Sequence, residues 1–167
     1  MGNLFYVVLF CYVALLEKIK YHIDQIRQAL MDAGLDPRII REFLESQVEV
    51  VKQVNLFNKE QPNRNDYIIN EIKMTEIHLL KDILDPGDQF ESIDQLTGIP
   101  EIESSVRIKK ALNDTSIDHK TIHEFLESQL EVFQEVNRFN KKEFSKDEYD
   151  RNELRIKQVK RLRDLLA

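Results

Sequence analysis

Apolar residues recur every three or four positions from 40 to 57 and again from 122 to 139. This spacing places them on one side of an α-helix, so each segment predicts a helix with one buried face. In the first segment these residues are Ile40, Phe43, Leu44, Val51, Val54 and Phe57. In the second they are Ile122, Phe125, Leu126, Phe133, Val136 and Phe139. Gln47 and Gln129 interrupt the two faces at corresponding places, where a polar residue sets register at some cost in stability.

The two segments are copies of one pattern. IREFLESQVEVVKQVNLFNK begins at Ile40 and IHEFLESQLEVFQEVNRFNK begins at Ile122, so the offset is 122 − 40 = 82 residues. The same offset pairs Asp36 with Asp118 and continues without a gap on both sides of the segments. A register that preserves EFLESQ letter for letter across this distance predicts a tandem duplication.

Each copy contains three predicted helices. Gly34 follows the first helix, where a residue able to adopt a positive φ is favoured. Asp36 and Asp118 stand at the N-cap position of the second helix. The third helix is predicted over 65–84 in the first copy and over 146–166 in the second. The fold class is therefore all-α: a tandem duplication of a three-helix unit, as a helical bundle or a repeat of αα-hairpins, behind an apolar N-terminal helix.

Four segments follow from this pattern. Residues 1–16 form an apolar N-terminal segment, and 17–84 form helical unit one. Residues 85–102 are a linker, because Pro and Gly break the chain near both of its ends. Residues 103–167 form helical unit two.

The N-terminal segment Leu4–Leu16 reads LFYVVLFCYVALL and carries no charge. As a helix it spans roughly 20 Å, short of the ~30 Å hydrocarbon core of a bilayer. Three roles fit it: a short membrane anchor, an export signal, or a helix packed against the rest of the protein. If it is an anchor, the cations that follow at Lys18, Lys20 and Arg27 place the body of the protein in the cytoplasm.

Charge and composition narrow the function. The formal net charge is −6, so the chain lacks the broad basic footprint of a duplex-binding protein. Cys11 is the only cysteine, which excludes an internal disulfide. Glycines stand only at positions 2, 34, 87 and 98, so no phosphate loop or dinucleotide motif can be written. The sequence therefore predicts no catalytic residue, no cofactor and no enzymatic activity.

One candidate metal site lies on the second helix of unit two. His119, His123 and Glu127 are spaced four residues apart there, so two imidazoles and a carboxylate share one helical stripe. The positions of the two histidines in unit one hold Pro37 and Arg41. Because the copy lacks the ligands, we predict a solvated stripe and keep a metal-binding protein or metal-dependent enzyme as the alternative.

The last helix carries a basic patch. Its members are Arg155, Lys157, Lys160, Arg161 and Arg163. No aromatic residue lies within the run to stack on bases. We predict that these cations favour the helix C-terminus and pair with glutamates of the second helices, and binding of nucleic acid through the patch is the alternative.

The third helix of unit one carries the predicted partner-binding residues. They are Ile68, Ile69, Met74, Ile77 and Leu79. Unit two has Asp150, Arg151 and Arg161 where unit one has Ile68, Ile69 and Leu79. Glutamates also form a stripe in both units, which favours a basic partner: Glu42, Glu45 and Glu49, then Glu124, Glu127 and Glu131. We therefore expect a non-enzymatic interaction or scaffold protein that binds a protein partner or itself, either through the groove between the units or through this helix.

Overall fold

A computed structural model describes residues 17–18, 20–59, 65–85 and 100–167. In those ranges the chain is helical and contains no strand, so the all-α prediction is confirmed. The helices are α1 over 20–32, α2 Pro37–Lys59, α3 Asn65–Ile83, α4 Glu101–Asp114, α5 His119–Phe139 and α6 Lys146–Leu166. A short 3-10 helix, Asn140–Lys142, follows α5. The segment Leu4–Leu16 and most of the linker lie outside the described residues.

The helix bounds follow the predicted pattern. The second helices begin at Pro37 and His119, which are 119 − 37 = 82 residues apart. The third helices begin at Asn65 and Lys146, within one residue of the same offset. Helix α4 begins at Glu101, two residues inside the predicted linker, with Pro100 as its N-cap.

The first helix of each unit ends in the same backbone motif. After α1, Gly34 has φ 71°, and the Leu35 N–H donates to the Leu30 carbonyl at 2.9 Å. After α4, Ser116 has φ 63°, and the Ile117 N–H donates to the Leu112 carbonyl at 3.0 Å. Both ends are Schellman caps, which need a left-handed residue after the last turn. Glycine meets that need without steric cost, whereas Ser116 meets it against the preference of an L-residue.

Aspartates start the second helices as predicted. The Asp36 carboxylate accepts from the Arg38 N–H at 2.9 Å. The Asp118 carboxylate accepts from the Lys120 N–H at 3.2 Å and from the Thr121 hydroxyl at 3.2 Å. Each carboxylate therefore satisfies an N–H that has no partner within its own helix.

One hydrophobic core receives side chains from each of α1 to α6. Its fully buried members include Ile26, Leu30, Ile40, Phe43, Leu44, Ile77, Ile108, Ile122, Leu126 and Val159. The buried face of α2 ends in Val51, which is partly buried, and Asn55, which is buried and donates to the Glu71 carboxylate at 2.6 Å. Asn137 of α5 is buried in the same way and donates to Glu153 at 2.7 Å.

The predicted buried faces of α2 and α5 were wrong at their C-terminal ends. Val54 and Phe57 are exposed in α2, and Val136 and Phe139 are exposed in α5. The buried face passes instead through Asn55 in α2 and Asn137 in α5. Position 54 lies within about 40° of position 40 around the helix, so the helical period alone does not expose Val54. Beyond Val51 the buried side of α2 is the side that carries Asn55.

The two units exchange contacts reciprocally. Helix α2 packs on α6, and α3 packs on α5. Arg155 of α6 binds Glu42 of α2 at 2.6 Å, and Lys73 of α3 binds Glu124 of α5 at 2.7 Å. These two pairs occupy equivalent positions, because 155 − 73 and 124 − 42 both equal 82. Reciprocity of this kind is characteristic of an isologous, two-fold interface.

The N-cap residues of the second helices also form hydrogen bonds to the other unit. The Asp36 N–H donates to the Gln158 side chain at 2.9 Å, and the Asp118 N–H donates to the Glu76 side chain at 2.9 Å. A side chain of each third helix thus accepts a hydrogen bond from the N–H of the residue that caps the second helix of the other unit. Unit two is therefore a neighbour that covers part of the apolar surface of α3.

Candidate functional site

Two equivalent apolar stripes lie on the outside of the molecule, one on α2 and one on α5. Their side chains are spaced four and three residues apart and are between 45% and 88% exposed. The stripe of α2 consists of Val50, Val54 and Phe57, and the stripe of α5 consists of Val132, Val136 and Phe139. Single exposed apolar residues are ordinary, but aligned groups of them mark interaction surfaces. We name these groups the α2 stripe and the α5 stripe.

Sequence reasoning missed both stripes because it assigned their members to the buried face. The available signal was Val50 and Val132, which match across the 82-residue offset but lie on the flank of the predicted face. With these valines included, apolar residues cover more than half of the helix circumference, which is wider than the face that one buried contact needs.

Exposed glutamates precede the stripes along both second helices. The first members of the predicted acidic rows, Glu42 and Glu124, are engaged in the ion pairs between the units. Further along, Glu49 on α2 and Glu131 on α5 are exposed and each precedes the first valine of a stripe. A hydrogen bond and the charge from Lys73 hold the pKa of Glu124 below its ordinary value, as expected for a carboxylate kept ionised by a nearby cation.

The predicted partner-binding residues of α3 separate into two groups. Ile68, Ile69 and Leu79 are exposed, at 54%, 49% and 44%. Met74 and Ile77 are 5% and 0% exposed and belong to the core. They are therefore not available to a partner, because they lie on the opposite side of the helix, against α2 and unit two.

The predicted basic patch on α6 is partly committed to the fold. Arg155 binds Glu42, as the predicted pairing with second-helix glutamates requires, and Arg163 binds its neighbour Asp164 at 2.5 Å. The guanidinium of Arg161 lies against Gly34, at the C-terminal end of α1. Lys157 and Lys160 are exposed. The patch is thus divided between structural and solvent-facing cations.

The members of the histidine stripe have separate surroundings. The Nδ1 atom of His119 lies 3.2 Å from the Asn113 side-chain oxygen and 4.0 Å from the Asp118 carboxylate. His123 is partly buried and Glu127 is exposed. Within the described residues no group of three or more His, Cys, Asp or Glu side chains is arranged to hold a metal ion.

One groove between the units is small, and six of its eight lining residues are polar or charged. It has a volume of about 250 Å³ and lies between α1 and α4. Arg107 crosses it to bind Asp32 at 3.2 Å. Its lining consists of four pairs of equivalent positions: Gln25 and Arg107, Gln28 and Lys110, Ala29 and Ala111, Asp32 and Asp114. An apolar helix would find little matching surface there.

Comparison with known proteins identifies no relative: no protein-family model, no curated protein and no solved structure matches the chain. Among the described residues no helix is both long enough and apolar enough to cross a membrane. The segment predicted as a possible anchor, Leu4–Leu16, lies outside that part of the chain.

Proposed function

We propose that the protein is a non-enzymatic interaction protein that binds basic amphipathic helices along the α2 stripe and the α5 stripe. The observation that carries the proposal is the presence of the same exposed Val-x-x-x-Val-x-x-Phe pattern on both second helices. Solvent-facing positions of helices are normally polar, and here three of them are apolar in each copy.

The proposal includes a tandem duplication of one three-helix unit. It is supported by the 82-residue offset in the sequence and by contacts that recur at that offset, such as the Ser46 hydroxyl donating to the Phe43 carbonyl and the Ser128 hydroxyl donating to the Phe125 carbonyl. A duplicated unit with a duplicated surface supplies two equivalent sites. One chain would therefore bind two helices, or two segments of one partner with the gain in avidity that linkage gives.

Spacing and charge define the chemistry of the occupant. Apolar side chains at i, i+4 and i+7 match the apolar face of a helix laid alongside, as in helix-in-groove recognition. Glu49 and Glu131 are exposed and each precedes the first valine of a stripe in the sequence, and the chain as a whole carries a formal net charge of −6. Both features favour a partner helix with lysine or arginine along its polar side.

The proposal is tested with a fluorescently labelled peptide that carries leucine at i, i+4 and i+7 and lysine elsewhere. Binding to the full chain is followed by fluorescence anisotropy, and stoichiometry by calorimetry. We expect two peptides per chain. Val54→Glu or Val136→Glu places a carboxylate in an apolar contact and should remove one site, weakening its affinity by at least about tenfold (~1.4 kcal/mol).

The matched control is Val106→Glu, which adds the same charge at an exposed valine on α4. Each substitution makes the protein more acidic, so a purely electrostatic attraction for the lysines would strengthen in all three variants. Binding through the stripes would instead weaken at positions 54 and 136 and stay unchanged at 106. The proposal would be refuted if the wild-type protein did not bind the peptide. It would also be refuted if the Val54→Glu/Val136→Glu double variant bound the peptide as tightly as wild type.

A further inference from the structure

A cavity of about 390 Å³ opens where α1, α3 and the end of α4 meet. Ile23 of α1 and Leu79 and Ile83 of α3 form its apolar side. Residues 114–116, the end of α4 and the cap that follows it, form another side. The volume falls within the range of roughly 300–1,000 Å³ that is typical of pockets for small ligands. We name this space the α4-end cavity.

The other half of the molecule contains the counterpart of this cavity. Leu79 corresponds to Arg161, because 161 − 79 = 82, and Ser116 corresponds to Gly34, because 116 − 34 = 82. At the counterpart, the Arg161 guanidinium lies over the end of α1, where three of its atoms would be 3.6–3.8 Å from a Cβ atom on Gly34. Leu79 is shorter and uncharged, so α3 brings no guanidinium to the end of α4.

The end of α4 favours a cation. The carbonyl end of a helix carries roughly half a negative charge, and the last turn of α4 contains no basic residue. The N–H groups of Thr115 and Ser116 donate to the carbonyls of Leu112 and Asn113, each at 3.0 Å. Because these donors are committed to the cap, they are not available to an anion.

Asp114 adds a full negative charge to this end of α4. Its counterpart Asp32 binds Arg107 at 3.2 Å. The position of unit one that corresponds to Arg107 holds Gln25, since 107 − 25 = 82, and an uncharged amide cannot form the equivalent ion pair. Within the ranges that the structure describes, Asp114 therefore lacks the cation partner that Asp32 has.

One basic side chain opposes a cation in the cavity. Lys18 lines it together with His22, and Lys18 is exposed. Lysine covers apolar surface with its stem while its ammonium stays in water. The charge of Lys18 therefore weakens the binding of a cation without excluding it, and its removal gives a test of sign.

We infer that the α4-end cavity binds an alkylguanidinium ligand. The cation lies at the end of α4 as Arg161 lies at the end of α1, and the alkyl chain contacts Leu79 and Ile23. Two sources share this chemistry: a free alkylguanidine, and the side chain of an arginine in a partner protein. The inference is independent of the α2 stripe and the α5 stripe, because it concerns other helices.

The test uses n-propylguanidinium and the full chain, followed by amide proton–nitrogen correlation NMR. We expect saturable shifts at the amides of Thr115 and Ser116. The matched control is n-propylurea, which has the same shape without the charge and should bind several-fold more weakly. A blocked peptide with a single arginine distinguishes the sources: binding at the same amides assigns the site to an arginine of a partner, and binding of n-propylguanidinium alone assigns it to a free alkylguanidine.

Four substitutions locate the ligand. Leu79→Arg supplies the guanidinium from α3 itself and should abolish the shift of Ser116, whereas Arg161→Leu, the reverse change in the other half, should leave it unchanged. Asp114→Asn should weaken the affinity about two- to fivefold. Lys18→Gln should strengthen it, because a like charge is removed. Circular dichroism checks that each variant is folded, and the two charge variants carry the test if Leu79→Arg is not.

Several results would overturn the inference. Absence of a shift at Thr115 and Ser116 would show that the cavity does not bind the cation. Equal affinity for n-propylurea would make it a site for apolar ligands. A shift of Ser116 that persists in Leu79→Arg, or shifts that spread over exposed carboxylates without saturating, would reduce the effect to general attraction by an acidic protein. Weaker binding in Lys18→Gln together with stronger binding in Asp114→Asn would contradict the sign of the charge.

Discussion

Replacing Ser116 by glycine should stabilise the protein, although the side chain removed is small and exposed. Ser116 ends α4 at φ 63°, where an L-residue costs roughly 1–2 kcal/mol and glycine is free of that cost. Glycine has more conformations to lose on folding, which offsets about 0.4–1 kcal/mol of the gain. We therefore expect Ser116→Gly to raise the free energy of unfolding by about 0.5–1 kcal/mol.

The equivalent position gives the opposite substitution. A Cβ atom on Gly34 would lie 3.6 Å from the nearest guanidinium atom of Arg161, an ordinary van der Waals distance. Gly34→Ser therefore introduces backbone strain without a clash and should lower the free energy of unfolding by about the same 0.5–1 kcal/mol. The double variant, with the two residues exchanged, should return close to the wild-type value if the effects add.

Urea denaturation followed by circular dichroism measures these changes. Constant slopes across the four proteins would show that the surface exposed on unfolding is the same, so that midpoints report stability. In thermal denaturation the shift should be about 2–4 °C per kcal/mol for a chain of this size. If Ser116→Gly is neutral or destabilising while Gly34→Ser is tolerated, the left-handed cap does not limit stability, and the reasoning from the two φ angles fails.

Two further substitutions test the core and the N-cap. Ile77→Ala should cost about 2–5 kcal/mol of unfolding free energy because the side chain is fully buried, whereas Leu79→Ala, on the exposed side, should cost well under half as much; similar losses in urea denaturation would contradict the assignment of the two faces. Partial burial raises the pKa of Asp118, but hydrogen bonds from Lys120 and Thr121 outweigh this and hold the pKa below 3.8. The N-cap contribution, about 1 kcal/mol by comparison with Asp118→Ala, should therefore be complete above the ordinary pKa of 3.8 and disappear as the pH falls through the lower folded pKa; a difference between the two proteins that persists below both values would exclude it.

The helices and their caps could be predicted from the sequence because their determinants are local. Asp36 and Asp118 accept hydrogen bonds from N–H groups two residues away, and Gly34 closes its turn within six residues. Such signals are contained in a short window of sequence, which is why the predicted bounds agree with the helices to within a few residues.

Which faces are buried depended on longer-range packing. The sequence shows that Met74, Ile77 and Leu79 are apolar, but only the neighbours of α3 decide that the first two are core and the third is not. The periodicity of α2 likewise extends to Phe57, although its buried face ends at Asn55. An 82-residue offset carries no information on whether the two units sit side by side or exchange contacts, so the reciprocal pairs were not predictable from it.

The exchanged caps also have a consequence for the timing of synthesis. The Asp36 N–H at the start of α2 is bonded by Gln158, which follows it by 122 residues. At about 5–20 residues per second, a ribosome needs roughly 6–24 s to add that much chain. Until α5 and then α6 are added, α2 and α3 lack the helices of unit two that pack on them. Folding of unit one is therefore completed late, when α6 has left the ribosome, and the nascent chain must remain soluble until then.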